Sequence, residues 1–313
     1  MVKVALIDAE TPLAGETVRL LINHPETEII SLYSPQNVGH PISSLHAGLI
    51  GEPRFIFSDK LNLEEPDLIL LFKKSELSRN IISQFPYHEN QKLISLFKEN
   101  FQPGEIKPEL GLSELNRKAL VRGAQMAYIT SPAIVPALIA VAPLASFLLL
   151  NSDINIEVKL PADIVETTDI HSLEEEISRL LKIRQASFNG KVNILLSAEK
   201  DNERGSLTSI SLKNSLPVEE IEKIYEQTYD DHNFAFHSRS RSGSEEVEAT
   251  QKVLIKIDKP TPETLLLEVS ADARMRGGAG DIVHIFNLFF GLHEKTGLAL
   301  KTSRFFPKKI CNL

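Results

Sequence analysis

Residues 1–33, MVKVALIDAETPLAGETVRLLINHPETEIISLY, decide the architecture. Residues 2–7 form a short apolar, β-rich run; a polar turn holding Pro12 follows, and over 16–23 Val18, Leu21 and Ile22 fall at helical spacing. His24-Pro25-Glu26 stops the helix, since proline cannot continue one, and 28–33 reads as a second strand because Ile29, Ile30 and Leu32 favour extended chain. Working outward, 68–72 (after Glu65-Pro66-Asp67), 93–97 and 126–130 are further apolar strands. Short strands alternating with helical segments imply right-handed crossovers, hence an α/β fold with a doubly wound parallel sheet.

The second half has a different rhythm. Residues 154–164, 191–196, 206–213, 251–258 and 264–270 are strand candidates, with helices only at 172–183 and 218–229. Long strands with few crossover helices predict a mixed or antiparallel sheet of α+β type. Ser172 and Glu175 have the spacing of a capping box, which accounts for acidic residues there without catalysis. The stretch 237–246, HSRSRSGSEE, is the one low-complexity segment. It reads as a surface loop, or as an Arg/Ser site for a phosphorylated or acidic partner.

A chain of 313 residues allows about two domains of roughly 150 residues, each with its own core. A formal net charge of -8 argues against a nucleic-acid or anionic-membrane surface, both of which need clustered Lys and Arg. The single cysteine, Cys311, excludes an internal disulfide and leaves too few thiolates for a zinc or iron-sulfur site. The apolar stretch 134–150 contains Pro136 and Pro143 and falls short of the ~20 residues that span a bilayer. The N-terminus has no signal-peptide pattern, so the cytoplasm is the expected location.

Several segments, in order along nearly the whole chain, resemble N-acetyl-gamma-glutamyl-phosphate reductase and, more distantly, aspartate-semialdehyde dehydrogenase. Residues 16–26, ETVRLLINHPE, are similar to the first helix and its exit, and GLSELNR at 111–117 to the G-L-P-E-L-N-R segment. Ser131-Pro132 with Pro136 and Ala142-Pro143-Leu144 resembles the N-P-G-C-Y-P segment and the helix after it. Arg204-Gly205 resembles the R-G of the substrate-domain strand. Arg276-Gly-Gly-Ala-Gly280, with Asn287 and Phe290-Gly291, resembles the K-G-A-A-G helix start and its end. The resemblance implies a Rossmann-like domain at 1–148 joined by a C-terminal helix at 292–313, and an α+β semialdehyde-dehydrogenase dimerisation domain at 149–291. It also implies a homodimer formed through the second domain's sheet. The apolar helix expected at 282–292, with Phe286, Phe289 and Phe290, would return the chain to the first domain; core packing explains its side chains.

In that family NADP sits on the Rossmann domain, and a cysteine thiolate attacks the acyl phosphate to give a thioester that hydride reduces. Only a thiolate makes the thioester both easy to form and easy to reduce. Here the S-P-x-x-x-P frame puts Ile134 at the cysteine position, with Ala133 and Val135 beside it; a shifted register would place Pro132 there. Neither is a nucleophile. Thr130 and Ser131 lie nearby, but a hydroxyl needs an adjacent base and gives an ester that accepts hydride poorly.

The family's G-A-T-G-Y-T-G turn is represented by Asp8-Ala-Glu-Thr-Pro-Leu-Ala14, without its three glycines, and Gly15 stands one place late. Asp8 and Glu10 put negative charge where a phosphate would sit; two such charges about 4 Å apart repel by roughly 4 kcal/mol at an effective dielectric constant of 20. Thr11 and Pro12 suit an N-cap and a first helical position. Thr11, Pro12 and Leu13, with Gly278 and Gly280 of the later helix start, are what remains for holding a cofactor. None is the expected cofactor state, with NADP admitted only if the altered turn still binds it. His171 occupies the place of the second histidine in the family's H-R-H-x-P-E segment, as an acid-base group or as a capping or surface residue. Arg204 and Arg276 mark the substrate end, and Gly277 to Gly280 opens a helix whose free N–H groups could receive an anion. Asp272 near Arg274 offers a structural ion pair instead.

The leading expectation is a non-catalytic homologue with a binding, regulatory or scaffolding role near amino-acid biosynthesis, beside an active paralogue or an anionic small molecule. The alternative is an NAD(P)-dependent oxidoreductase acting on an aldehyde, oxo group or acyl phosphate without cysteine. A third reading is a small-anion sensor built on Arg204 and Arg276.

Overall fold

A computed structural model describes residues 1–101, 107–199, 202–239 and 243–302. The chain forms two compact units, Met1–Val135 with Arg276–Ala299, and Pro136–Met275 with Leu300–Leu313. The first boundary thus falls earlier than the expected 148. Residues 292–302 run as turns and irregular chain rather than the expected helix, and 303–313, with Cys311, lie outside the described residues.

The first unit holds β1 (Val2–Ile7), α1 (Pro12–Leu21), β2 (Thr27–Tyr33), β3 (Leu68–Leu71), α2 (Glu76–Gln84), β4 (Lys92–Ser95), β5 (Glu109–Leu110), α3 (Ser113–Val121) and β6 (Met126–Tyr128). Its sheet is parallel throughout in the order β2-β1-β3-β4-β6-β5, as the alternation of strand and helix requires. Ile7, Ile69, Leu71, Leu93 and Met126 build a core that Ile81 and Ile82 of α2 close. The chain re-enters this unit as α8 (Ala279–Phe289), which packs on α1. There the buried His24 shares a hydrogen bond with Asn287 at 2.9 Å and meets the Phe286 ring edge-on at 4.9 Å. Gly297 at φ +71 allows the chain to run against His24, where a Cβ would come within 2.6 Å of the ring.

The second unit holds most of α4 (Val135–Ser146), then β7 (Ile154–Pro161), α5 (Ala162–Glu166), α6 (Ile170–Arg184), β8 (Val192–Glu199), β9 (Gly205–Lys213), α7 (Val218–Tyr229), β10 (Ala235–His237), β11 (Val253–Thr261) and β12 (Thr264–Asp272). The sheet is mixed, in the order β10-β11-β12-β9-β7-β8, as expected. The long strand read over 154–164 breaks at Pro161, after which α5 begins, because proline's fixed φ suits a helix entry. The capping box read at Ser172 and Glu175 does not form: α6 starts earlier, with Asp169 as N-cap accepting the His171 N–H at 3.2 Å. Of the segment 237–246, residues 240–242 lie outside the described residues.

α4 carries Pro143 in its interior. Proline lacks the N–H that would bond the carbonyl four residues back, so the Ile139 carbonyl loses its helical donor. Tyr229 of α7 supplies it through its hydroxyl, and Tyr225 donates likewise to the Ala140 carbonyl at 2.5 Å, both in buried surroundings. Removing a buried partner exposes the full desolvation cost of the group left behind. Tyr229→Phe is therefore expected to cost about 1–3 kcal/mol in urea unfolding. The loss should shrink in a Pro143→Ala background, where residue 143 regains its N–H; an equal loss in both backgrounds would contradict this role.

Candidate functional site

The carboxyl ends of β1 and β3, where the strand order reverses, form the crevice in which doubly wound sheets take their ligands. β1 delivers Asp8 at φ +59, a left-handed conformation that Asp tolerates better than most residues. Thr11 caps α1, its hydroxyl accepting the Ala14 N–H at 3.3 Å, and the exposed Pro12 opens the helix, as the sequence suggested; Leu13 follows as a half-buried first-turn residue. The charges of the turn are not left bare. Lys73, just beyond β3, forms an ion pair with Glu10 and lies 4.0 Å from Asp8. The repulsion expected from Asp8 and Glu10 is thus partly cancelled inside the protein.

Burial raises the Asp8 carboxyl above its usual range, with Lys73 opposing and Glu10 adding to the shift. Burial acts upward on Glu10 too, but its hydrogen bonds to Lys73, its own N–H and Ser34 bring it below the usual range. Gly15, the surviving glycine, is needed for a reason internal to the chain: a Cβ there would lie 2.4 Å from Nδ1 of His46. The His46 ring lies against the first turns of α1 and bonds the Ala9 backbone, and burial pushes its pKa down.

After β6 comes the turn that the resemblance sets against the family's nucleophile segment. Ile134 and Ala133 are wholly buried. The Ser131 hydroxyl accepts the Ala133 N–H at 3.2 Å and, among the described residues, has no base bonded to it, so it is a cap rather than an activated alcohol. Pro132 and Ser131 lie backbone to backbone with Gly277, whose φ is +73 and whose Cβ would stand 2.4 Å from the Pro132 nitrogen. Only glycine fits there.

Next to Gly277, Arg276 is completely buried between Glu114 of α3, at 2.9 Å, and Asp281 of α8, at 3.1 Å. Asp281 also accepts the Gly277 N–H at 2.6 Å. The N-terminus of α8, with Gly278 as N-cap and Gly280 buried, therefore already carries an anion, namely its own first-turn carboxylate. Burial acts upward on Glu114, but Arg276 and then His284 hold it below the usual range. Asp281 is pushed up by burial, against Arg276 and with Glu114 adding. His284 continues the network to Glu294 at 2.8 Å, and Glu294 pairs with Arg117. Arg276, expected at the substrate end, lies between these buried carboxylates.

In the second unit Arg204 donates Nε–H to Asp272 at 2.8 Å. The buried Asp272 also accepts the N–H groups of Ala249, Arg274 and Met275. The ion pair read from Asp272 and Arg274 is thus made by Arg204 instead, while the Arg274 side chain pairs with Asp163 at 2.8 Å. His171 is 81% exposed on the first turn of α6, 3.4 Å from Glu175. That is the setting of a surface residue. Lys73 and His46 were missed by sequence reasoning, because nothing local to either says that it reaches the turn after β1.

Among the described residues no cluster suited to a metal ion occurs, and no helix is long and apolar enough to cross a membrane. No family model matches the chain. Curated relatives match it over nearly its whole length. N-acetyl-gamma-glutamyl-phosphate reductase of Parabacteroides distasonis is 30% identical over 327 residues, covering 97% of this chain and all of the relative. That of Azobacteroides pseudotrichonymphae is 31% identical over 329 residues with the same coverage. Among solved structures, a probable aspartate-semialdehyde dehydrogenase from Pseudomonas aeruginosa superposes with a TM-score of 0.68 at 13% identity, over 92% of this chain and 98% of that one. Aspartate semialdehyde dehydrogenase with NADP from Candida albicans superposes with a TM-score of 0.68 at 14% identity, over 93% and 98%. At such identities the superpositions speak for the fold alone.

Two outcomes check the site as described. Arg276→Met strands Glu114 and Asp281 in the core and is expected to cost about 3–5 kcal/mol in guanidinium unfolding; an arginine held ready for a ligand would cost little. The second concerns pH. Burial lowers the folded-state pKa of His46 below the ordinary ~6.5, so the unfolded chain takes up the proton first. Stability from this group is full above that pH and drains as the pH falls toward the folded-state value. Urea midpoints should fall from pH 7.5 to 5.5, and less steeply in His46→Asn.

Proposed function

We propose that this chain, which belongs to the family of N-acetyl-gamma-glutamyl-phosphate reductases, is a member that keeps the fold without the reductase chemistry and serves in binding, regulation or scaffolding near amino-acid biosynthesis. One observation carries the reading: Ile134, with no ionisable atom and no exposed surface, stands where the resemblance places the cysteine. A thioester cannot form on it, and among the described residues neither Ser131 nor Thr130 is hydrogen-bonded to a base that would replace it.

The surroundings support the same reading. The turn after β1 answers its own charges with Lys73 and fills the space over Gly15 with His46. The positive groups at the substrate end are engaged by Glu114, Asp281 and Asp272. A small-anion role for Arg204 and Arg276 would require both to leave these carboxylates. A homodimer through the second unit's sheet rests on the resemblance and on β7, whose Asn155, Glu157 and Lys159 alternate outward while Ile154, Ile156 and Val158 are buried.

A second reading, reduction of an existing carbonyl by a nicotinamide cofactor without covalent catalysis, draws on the fold shared with the NADP-bound Candida albicans enzyme. The two separate by turnover. The purified chain is expected to oxidise no NADPH with N-acetyl-gamma-glutamyl phosphate, and Ile134→Cys is expected not to restore it, since the turn after β1 is altered as well. Oxidation with the acyl phosphate would overturn the proposal. Oxidation with aldehydes alone would favour the second reading.

A further inference from the structure

α6 buries Leu173, Ile177, Leu180 and Leu181 and turns the opposite face outward. That face carries Glu174, Glu175, Ser178, Arg179, Lys182 and Ile183, at helical spacing along one wall of an open groove of about 730 Å³. The other wall is the chain from Gly190 to Asn193 leading into β8. Ile183 leaves 71% of its surface exposed there. Of these residues only Glu175 figures above, beside the exposed His171.

The charges on this face are ordered. The acidic pair Glu174 and Glu175 lies toward the N-terminal end, while Arg179 and Lys182 lie toward the C-terminal end, with Lys191 across the groove. A surface negative at one end and positive at the other complements itself when a second copy is turned by a twofold axis, which makes any such contact isologous. With the axis beside Ser178, Glu175 of one copy faces Lys182 of the other, twice over. The small Ser178 at the crossing lets the backbones approach, and the two Ile183 side chains bury apolar surface on either side of it.

β8 is an edge strand, so an extended segment adding to the sheet is the obvious competing occupant. The edge is blunted. Glu174 accepts the Ile194 N–H at 2.9 Å, taking a donor that an incoming strand would need. The groove therefore suits a helix laid beside α6 rather than a strand laid beside β8.

We propose that the outward face of α6 is a self-association surface on which a second copy of this chain packs its own α6 antiparallel, through reciprocal Glu175–Lys182 contacts about Ser178. This contact is separate from any pairing through the open face of the second unit's sheet and does not depend on whether the chain catalyses.

Sedimentation equilibrium of the full chain tests it with four species: the natural sequence, Glu175→Lys, Lys182→Glu and the double exchange. Both side chains are exposed, and thermal melts should show that all four fold alike. Each single reversal sets two like-charged pairs in the contact and should weaken association at low salt by about tenfold or more. The double exchange restores opposite charges at both places and should bring the constant back to within about threefold of the natural one. A chain that is monomeric at all concentrations, single reversals without effect, or a double exchange as weak as the singles would each overturn the proposal. Uniform behaviour of the four would point to the sheet face as the pairing surface instead.

Discussion

The guanidinium of Arg276, sealed between Glu114 and Asp281, is the contact on which the first unit's ligand end depends. Arg276 is the bulkiest of the fully buried side chains among the described residues, and three segments distant in sequence meet at it. α3 brings Glu114, α8 brings Asp281, and the glycine after Arg276 clasps the turn at Ser131 and Pro132. A buried charge is tolerable only where partners replace the water it lost. Its geometry is thus dictated by the carboxylates around it, and the turn where a nucleophile would stand takes its position from that geometry.

The same logic recurs at Lys73 with Glu10 and Asp8, and at Arg204 with Asp272. Here the carboxylates are built in. The arginines that the resemblance assigns to the substrate end each hold separate segments of their own unit together.

Much of the fold was legible in the sequence because it rests on local periodicity. The run 2–7, the proline after His24 and the helix at 218–229 emerge as read, since apolar spacing and proline speak for themselves. Readings failed where two local signals competed: Asp169 outbid Ser172 as the cap of α6, and Pro161 converted the end of a strand into a helix entry. The site was legible only as absences, the missing cysteine and glycines. What fills those places, His46 over Gly15 and Lys73 beside Glu10, arrives through tertiary contact and leaves no mark in sequence spacing.

The proposal that the chain keeps the fold without the reductase chemistry implies that the crevice at the ends of β1 and β3 takes no dinucleotide. Isothermal titration of the purified protein with NADPH, beside an intact reductase of the family, tests it most directly. No heat of binding is expected up to millimolar cofactor, while the control saturates. Saturable micromolar binding, at or below about −8 kcal/mol, would contradict it and show that the turn holds pyrophosphate without its glycines.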